Sequence, residues 1–170
     1  IGTYTRGDSK GIYSFVLDTG AGKLTPEGLA GEIENPSFLA IHPNGRNLYA
    51  VQELSKFQGQ NSGALSSFSI GTDGKLTRIN DVVAGGTSTC HVNISKNGKF
   101  AVLANYGTGS CAAFALGPDG RIGERTAYHQ HAGSSADASR AGAKCEAPTL
   151  RTLPALTSRS NACATSSCGT

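Results

Sequence analysis

The side chains best suited to chemistry stand at the ends of short apolar runs. His91 begins one such run, and Asn105 and Tyr106 close the run that follows it. Glu53 closes an earlier run of similar composition. An imidazole titrates near neutral pH, and a carboxylate can also accept or deliver a proton. Because Asn and Tyr add hydrogen-bonding groups, the set suits general acid–base chemistry.

Each of these residues also has a structural interpretation, which the sequence alone leaves open. His91 could line a channel or cap a loop without a chemical role, and Asn105 could simply form a turn. Tyr106 could pack against neighbours, and Glu53 could be a solvated loop carboxylate. The chemistry therefore depends on whether the fold brings these side chains to one place.

Metal binding is not indicated by the sequence. His129 and His131 flank a single residue, but no third ligand stands nearby. None of the five cysteines belongs to a Cys-x-x-Cys pair, which argues against a zinc site. We predict no metal and no cofactor, and we interpret Cys90 and Cys111 as reduced thiols of a cytoplasmic protein.

Two segments that carry these residues share one plan. Residues 35–53 and 87–109 each contain an apolar strand, an Asn-Gly turn and a second apolar strand that ends on polar residues. The turn glycines, Gly45 and Gly98, are 53 residues apart. Asn-Gly is the typical dipeptide of a tight hairpin. A repeat of this length is one supersecondary unit that stacks on its neighbours.

A second pattern completes the repeat. Phe15, Phe68 and Phe114 each close a strand-like run that is followed by a loop and by a glycine, a basic residue and an apolar residue. Each repeat thus holds about four short strands in roughly fifty residues, as the blade of a β-propeller does. We predict an all-β fold, a β-propeller of about three blades. The alternative is a β-sandwich whose hairpins are similar by accident.

Composition excludes several classes of protein. The net charge of +3 and the absence of a basic run argue against nucleic-acid binding. No apolar run is long enough to span a membrane, and the N-terminus lacks the pattern of a signal peptide. The first residue is Ile1 rather than Met, which suggests a fragment or a missing start.

The pattern changes near Arg140. Residues 141–170 contain no Val, Ile, Phe or Tyr, and half of them are Ala, Ser or Thr. Such a segment cannot bury enough apolar surface to offset its ordering entropy. We predict a partial propeller over residues 1–140 and an unstructured tail over 141–170. A natural tail and a shifted reading frame both explain it, and the composition, poor in the residues usual for disorder, favours the frameshift.

Six short motifs stand in a fixed order along the chain. They are IGTYT at 1–5, KGIY at 10–13, NPSFL at 35–39, HPNG at 42–45, ANYGTGS at 104–110 and HAGSS at 131–135. Taken in this order, they resemble the seven-bladed propeller lactonases of the 6-phosphogluconolactonase family, which is related to carboxy-muconate cycloisomerases. The resemblance covers Ile1 to Arg140. It implies a cytoplasmic enzyme of the pentose phosphate pathway that opens a phosphorylated sugar lactone with water, without a metal.

The resemblance also implies roles for the candidate residues. Lactone hydrolysis needs a base for water, donors for the oxyanion and cations for the phosphate. His91 matches a family histidine position and is the candidate base or oxyanion donor. Arg140 is the candidate phosphate ligand and is grouped with His91 as catalytic. Asn105, Tyr106 and Glu53 are the candidate substrate-binding residues.

The departures from the family pattern bear on activity. After Arg140 the family continues with a Gln and then a Pro-His-Ala-His motif, whereas this chain continues with Ala-Gly-Ala-Lys. We therefore expect the chain as given to be a weak or inactive lactonase. Two alternatives stay open, a non-catalytic propeller that serves as a binding module and a cycloisomerase-like enzyme. We also expect open blade faces to expose Ile12, Phe15 or Phe114 and to permit self-association.

Overall fold

The computed structural model describes residues 1–132, and all regular structure in that range is β-strand. The strands are β1 (Gly11–Asp18), β2 (Lys23–Glu32), β3 (Leu39–Ile41), β4 (Asn47–Gln52), β5 (Ala64–Ile70), β6 (Leu76–Val83), β7 (Thr89–Ile94), β8 (Phe100–Asn105), β9 (Ser110–Leu116) and β10 (Ile122–Gln130). The all-β prediction is confirmed. Arg140 and the predicted tail, residues 141–170, lie outside the described residues.

The strands form three antiparallel sheets in chain order. Sheet I contains β1 and β2, sheet II contains β3 to β6, and sheet III contains β7 to β10. An isolated bridge between Gly2 and Ile12 places the first residues of the chain beside β1. The predicted arrangement of about three propeller blades is therefore present as two four-stranded sheets preceded by a two-stranded one. Each sheet is a simple meander, as in a propeller blade.

Register confirms the repeat that the sequence predicts. Leu48 on β4 lies opposite Phe68 on β5, and Ala101 on β8 lies opposite Phe114 on β9. Leu48 and Ala101, on the second strands, are 53 residues apart, and Phe68 and Phe114, on the third strands, are 46 residues apart. The first spacing is that of the turn glycines and the second is that of the last two phenylalanines of the sequence pattern. The central strands of the two four-stranded sheets thus pair in the same register.

The core of the molecule lies between the sheets. Strand β4 is buried along its whole length because its two faces pack on different neighbours. Leu48 and Ala50 join the core shared with sheet I, whereas Tyr49 and Val51 join the core shared with sheet III. The sequence of a strand that is buried on both faces is a continuous apolar run and does not alternate between apolar and polar residues.

The prediction that open faces expose three named side chains is correct for Phe15 and wrong for the other two. Ile12 and Phe114 are buried, whereas Phe15 is 38% exposed. Ile12 belongs to the core between sheets I and II, and Phe114 to the core between sheets II and III. Both side chains point at a sheet that is present, so burial follows from the direction in which each residue faces.

Polar side chains lock sheet III onto sheet II. Asn80 on β6 donates to the carbonyl of Ile122 at 2.9 Å and accepts from the amide of the same residue at 3.0 Å. The Tyr49 hydroxyl donates to the carbonyl of Gly120 at 3.0 Å. Burial, with a smaller contribution from the charge of Asp119, raises the pKa of Tyr49 to about 12. These bonds fix the relative position of the two sheets.

Candidate functional site

One end of the stacked sheets gathers four of the connecting loops. Residues 33–38 and 84–88 lead into the first strands of sheets II and III, and residues 53–63 and 106–109 follow their second strands. Because neighbouring strands are antiparallel, all four loops emerge at the same end of their sheets. We refer to this end as the loop end. Strand β7 packs against β3 and β4 there, so the first strands of the two sheets lie side by side.

A repeated backbone contact holds the loop end together. Asn35 has a φ of 45°, and its carbonyl accepts a hydrogen bond from the Glu53 amide at 3.0 Å. Ser88, 53 residues later, has a φ of 54°, and its carbonyl accepts from the Tyr106 amide at 2.9 Å. A positive φ is uncommon for residues other than glycine. The two strained positions place Glu53 and Tyr106 at equivalent points of neighbouring sheets.

His91 lies at this end, on the first strand of sheet III. It pairs with Ala104 just after a register irregularity, and its ring lies 4.3 Å, centroid to centroid, from the ring of Phe38 on sheet II. Its Nδ1 atom is buried and has no hydrogen-bond partner within residues 1–132. Burial lowers the pKa of the imidazole. At neutral pH the ring is therefore uncharged, and its Nδ1 atom is hydrogen-bonded to no group of residues 1–132.

Glu53 is held by the N-terminal segment that precedes β1. The hydroxyl of Tyr4 donates to Glu53 Oε2 at 2.8 Å, and this bond, more than burial, raises the pKa of Tyr4. The pKa of the Cys90 thiol is raised chiefly by burial and further by the charge of Glu53. The charge of Glu53 thus lies near enough to act on Cys90, the residue that precedes His91.

The other predicted site residues differ in accessibility. Asn105 is fully buried; its Oδ1 accepts from the Thr89 hydroxyl at 2.7 Å and its Nδ2 donates to the Ser110 hydroxyl at 3.1 Å. Both ends of its amide are therefore used to brace the strand ends. Tyr106 is 43% exposed at the loop end. A substrate contact by Asn105 stays a prediction, and Arg140 lies outside the described residues.

Sequence reasoning missed two contributors to this end. Tyr4 belongs to the IGTYT motif, but only the pairing of sheets reveals that it reaches Glu53. Phe38 precedes a strand in the NPSFL motif, and nothing in the sequence links it to His91 across 53 residues. Tyr4 lies in the segment before β1 and Phe38 in the loop before β3, so both contacts join parts of the chain that only the stacking of the sheets brings together.

Other chemistries find no support in residues 1–132. No group of three or more His, Cys, Asp or Glu side chains in this range is arranged to hold a metal ion. The rings of His129 and His131 meet edge to face at 4.9 Å. Nor does any helix of this range have the length and apolar character needed to cross a membrane. Among the described residues, the loop end carries the uncharged His91, the side chain of Glu53 and the exposed Tyr106.

Comparison with known families and sequences gives a consistent result. A family model described as Lactonase, 7-bladed β-propeller, matches residues 1–145. A 6-phosphogluconolactonase of Bacillus subtilis is 35% identical over 134 residues, which are 78% of this chain and 37% of that protein. A protein of the same name from Formosa agariphila is 32% identical over 136 residues, 79% of this chain and 38% of its own length.

Solved structures agree with the sequence comparison. The crystal structure of a putative 6-phosphogluconolactonase from Bacteroides fragilis superposes with a TM-score of 0.74 at 35% identity, covering 82% of this chain and 38% of that one. The periplasmic gluconolactonase PpgL of Pseudomonas aeruginosa superposes with a TM-score of 0.69 at 27% identity, covering 77% of this chain and 38% of that one. The chain thus spans less than two fifths of the length of these relatives.

Proposed function

The chain belongs to the seven-bladed β-propeller lactonase family, and we propose that its loop end supplies substrate-facing residues of a lactonase of the 6-phosphogluconolactonase type. The reaction is the attack of water on the carbonyl of a phosphorylated sugar lactone, which yields the open-chain acid. The names of the relatives from B. subtilis and F. agariphila support this substrate class.

The observation that carries the proposal is the state of His91. Its imidazole is uncharged at neutral pH because burial lowers its pKa, and its Nδ1 accepts no hydrogen bond from residues 1–132. A general base needs a nitrogen lone pair within reach of the proton it removes, and because Nδ1 is buried this role falls to Nε2 of the half-exposed ring. His91 accepts the proton of the attacking water as the new C–O bond forms, and it returns a proton to the ring oxygen that leaves.

Other side chains of the loop end suit the remaining tasks. The exposed hydroxyl of Tyr106 can donate to the oxyanion or to a sugar hydroxyl. Glu53, held by Tyr4, can accept hydrogen bonds from the sugar hydroxyls. Arg140, the predicted phosphate ligand, lies beyond the described residues and belongs to the same proposal. A cytoplasmic location is also part of this proposal. It is not inferred from the relatives, because the P. aeruginosa neighbour is named a periplasmic protein.

A binding experiment tests the placement of the site. We expect 6-phosphogluconate, the reaction product, to perturb the NMR signals of Phe38, Glu53, His91 and Tyr106 in the 170-residue chain. His91→Gln and Glu53→Gln should each weaken this binding at least about tenfold, which corresponds to about 1.4 kcal/mol. Lys96→Gln, in the exposed turn at the opposite end of sheet III, serves as the matched control.

Two results would contradict the proposal. One is an absence of perturbation at saturating product, and the other is a perturbation confined to the turns at the end that carries Lys96. A rate assay adds a second criterion. We expect this chain alone to hydrolyse the lactone close to the uncatalysed rate, because displaced or absent groups cost large factors in rate. Any rate above that background should fall with His91→Gln and stay unchanged with Lys96→Gln.

A further inference from the structure

One aromatic ring at the loop end is exposed within residues 1–132, although its sheet has neighbours on both sides. Phe38, directly before β3, is 39% exposed. Sheet II packs on sheet I through β6 and on sheet III through β3 and β4. Phe68 and Phe114, which face those two interfaces, are 1% and 3% exposed. Phe38 therefore belongs to neither core of its sheet.

The backbone around Phe38 is held in place by the rest of the sheet. The Phe38 carbonyl accepts a hydrogen bond from the Val51 amide at 3.1 Å, and the Ser37 amide donates to the Asn35 carbonyl at 2.8 Å. Pro36, two residues before Phe38, is fully buried. A group that is held in advance loses little conformational freedom on binding, so more of its contact energy appears as affinity. The chain thus presents the phenyl ring on a preformed support.

The Phe38 ring lies against His91, the candidate base. The two rings are 4.3 Å apart between centroids and are inclined to each other by 43°. The exposed part of the phenyl ring is the part that the imidazole does not cover, so a molecule resting on it lies beside His91. Glu53 and Tyr106, which follow β4 and β8, add hydrogen-bonding groups at the same end. The loop end thus combines a flat apolar ring with polar side chains.

A closed sugar ring has the shape and polarity that suit such a surface. In a six-membered ring of glucose configuration the hydroxyl groups point outward around the edge and the axial C–H bonds cover both faces. The faces are therefore apolar and the edge is polar. The face of an aromatic ring carries partial negative charge and attracts hydrogens of partial positive charge. An open-chain sugar acid has no fixed apolar face to offer.

We propose that Phe38 packs on the apolar face of a closed sugar ring and makes the loop end prefer the closed ring over the open chain. This inference rests on the proposed lactonase function and specifies which form of the sugar the site recognises. Phe38 is a specificity-determining residue in this scheme and moves no proton. Because hydrolysis opens the ring, it also removes this contact, so the product is bound less tightly than the lactone.

Two ligands of equal charge test the proposal on the 170-residue chain. 1,5-Anhydroglucitol 6-phosphate keeps the ring closed and has no lactone bond to hydrolyse, and glucitol 6-phosphate is its open-chain counterpart. NMR titration gives the ratio of their dissociation constants. Phe38→Leu keeps an apolar side chain against His91 but removes the flat ring, so it should lower the preference for the closed ligand about fivefold. Phe38→Tyr, which keeps the ring, should preserve the preference.

A matched control and a measurement without any variant complete the experiment. Phe15 is 38% exposed, much as Phe38 is, but it lies inside β1 rather than at a strand end. Phe15→Leu should therefore leave both dissociation constants unchanged. In the original chain, the ring protons of Phe38 should show nuclear Overhauser effects to the axial C–H hydrogens of the closed ligand. This second measurement decides the question if circular dichroism shows that Phe38→Leu does not fold.

The outcomes separate this proposal from the lactonase assignment. If both ligands bind and His91→Gln weakens them, but the preference survives Phe38→Leu or no Overhauser effect reaches Phe38, the proposal is wrong and the assignment stands. If the preference depends on Phe38 but binding does not respond to His91→Gln, the contact with the ring face stands and the role of His91 is wrong. If neither ligand binds up to its solubility limit, both are wrong.

Discussion

Sheets I and II carry the same apolar positions, yet only sheet II buries them. Phe68 is 1% exposed because it packs on sheet I, whereas the equivalent Phe15 is 38% exposed. The side chains are identical and their strands pair in the same way. The comparison teaches that in a repeated fold the contribution of a residue to stability depends on the sheet packed against it more than on the sheet that contains it.

The largest effect is expected when the phenyl rings of Phe68 and Phe15 are removed in turn. Phe68→Ala should lower the free energy of unfolding by about 3–5 kcal/mol, because it leaves a cavity in the core between sheets I and II. Phe15→Ala should cost less than about 1 kcal/mol, because little of its contact is lost. Denaturant unfolding measures both. Similar losses at the two positions would mean that Phe15 is covered in solution.

The turn glycines of sheets II and III extend the comparison to the backbone. Gly120 has a φ of 83°, and a Cβ there would collide with the side chain of Asn47 on sheet II. Gly74, the equivalent glycine of sheet II, has a φ of 74° and open space around it. Gly74→Ala should cost about 1–2 kcal/mol from the left-handed backbone alone.

Gly120→Ala should cost about 2–5 kcal/mol, because overpacking adds to the same backbone term. Thermal unfolding of the two variants, made in the same chain, gives the difference. Equal losses would show that sheet III does not press its turn onto sheet II as the structure describes.

A smaller effect separates two tyrosine hydroxyls. Tyr49→Phe removes the buried bond to the carbonyl of Gly120 and should cost about 1 kcal/mol. Tyr13→Phe removes a surface bond to the amide of Lys10 and should change stability by a few tenths at most.

The pH dependence gives an independent signature of Tyr49. Its pKa is raised to about 12 in the folded chain, above the value of about 10 for an unfolded tyrosine. The unfolded state therefore ionises first, and stability should fall between pH 10 and 12. Tyr49→Phe should remove this loss, which unfolding titrations at alkaline pH measure. An unchanged alkaline slope in the variant would contradict the assignment.

The smallest effect concerns His91, at the boundary of sheets II and III. Its folded pKa lies below the unfolded value of about 6.5, so the unfolded state takes up the proton first as the pH falls. Stability should be complete above about pH 6.5 and decline below it. His91→Gln should flatten this slope while leaving stability at pH 8 nearly unchanged. Parallel pH profiles of the two proteins would rule out a desolvated imidazole.

The features of this structure that could be predicted from the sequence are those formed within a single sheet. The Asn-Gly and Asp-Gly turns and the closing phenylalanines predict the strands and the repeat because turn chemistry and apolar patterning act within one sheet. The order of strands and turns in sheets II and III follows the prediction, but β5 and β9 do not end at Phe68 and Phe114, as predicted, and continue to Ile70 and Leu116. Which face of each sheet is buried was harder to predict, as Ile12 and Phe114 illustrate. Burial depends on which face of a sheet its neighbour packs against.

The candidate site was predictable only in part. His91, Glu53 and Tyr106 lie at the loop end because strand ends are visible in the sequence. The burial of Asn105 was not, since its two partners, Thr89 and Ser110, begin the strands on either side of β8. Ser88 gave no signal of its positive φ, because serine has no preference for that conformation. Contacts between sheets need the three-dimensional packing, which local propensity does not encode.

The meander order of the sheets has a consequence for how the chain acquires its structure. In sheet II the order in space, β3-β4-β5-β6, is the order along the chain, so every strand pairs with its immediate successor. Such pairing closes only short loops, which keeps the entropic barrier to folding low. A growing polypeptide can therefore complete one sheet before the next has been synthesised, and each finished sheet offers a template for its successor. Folding then advances from the first sheet to the last, in the same direction as translation.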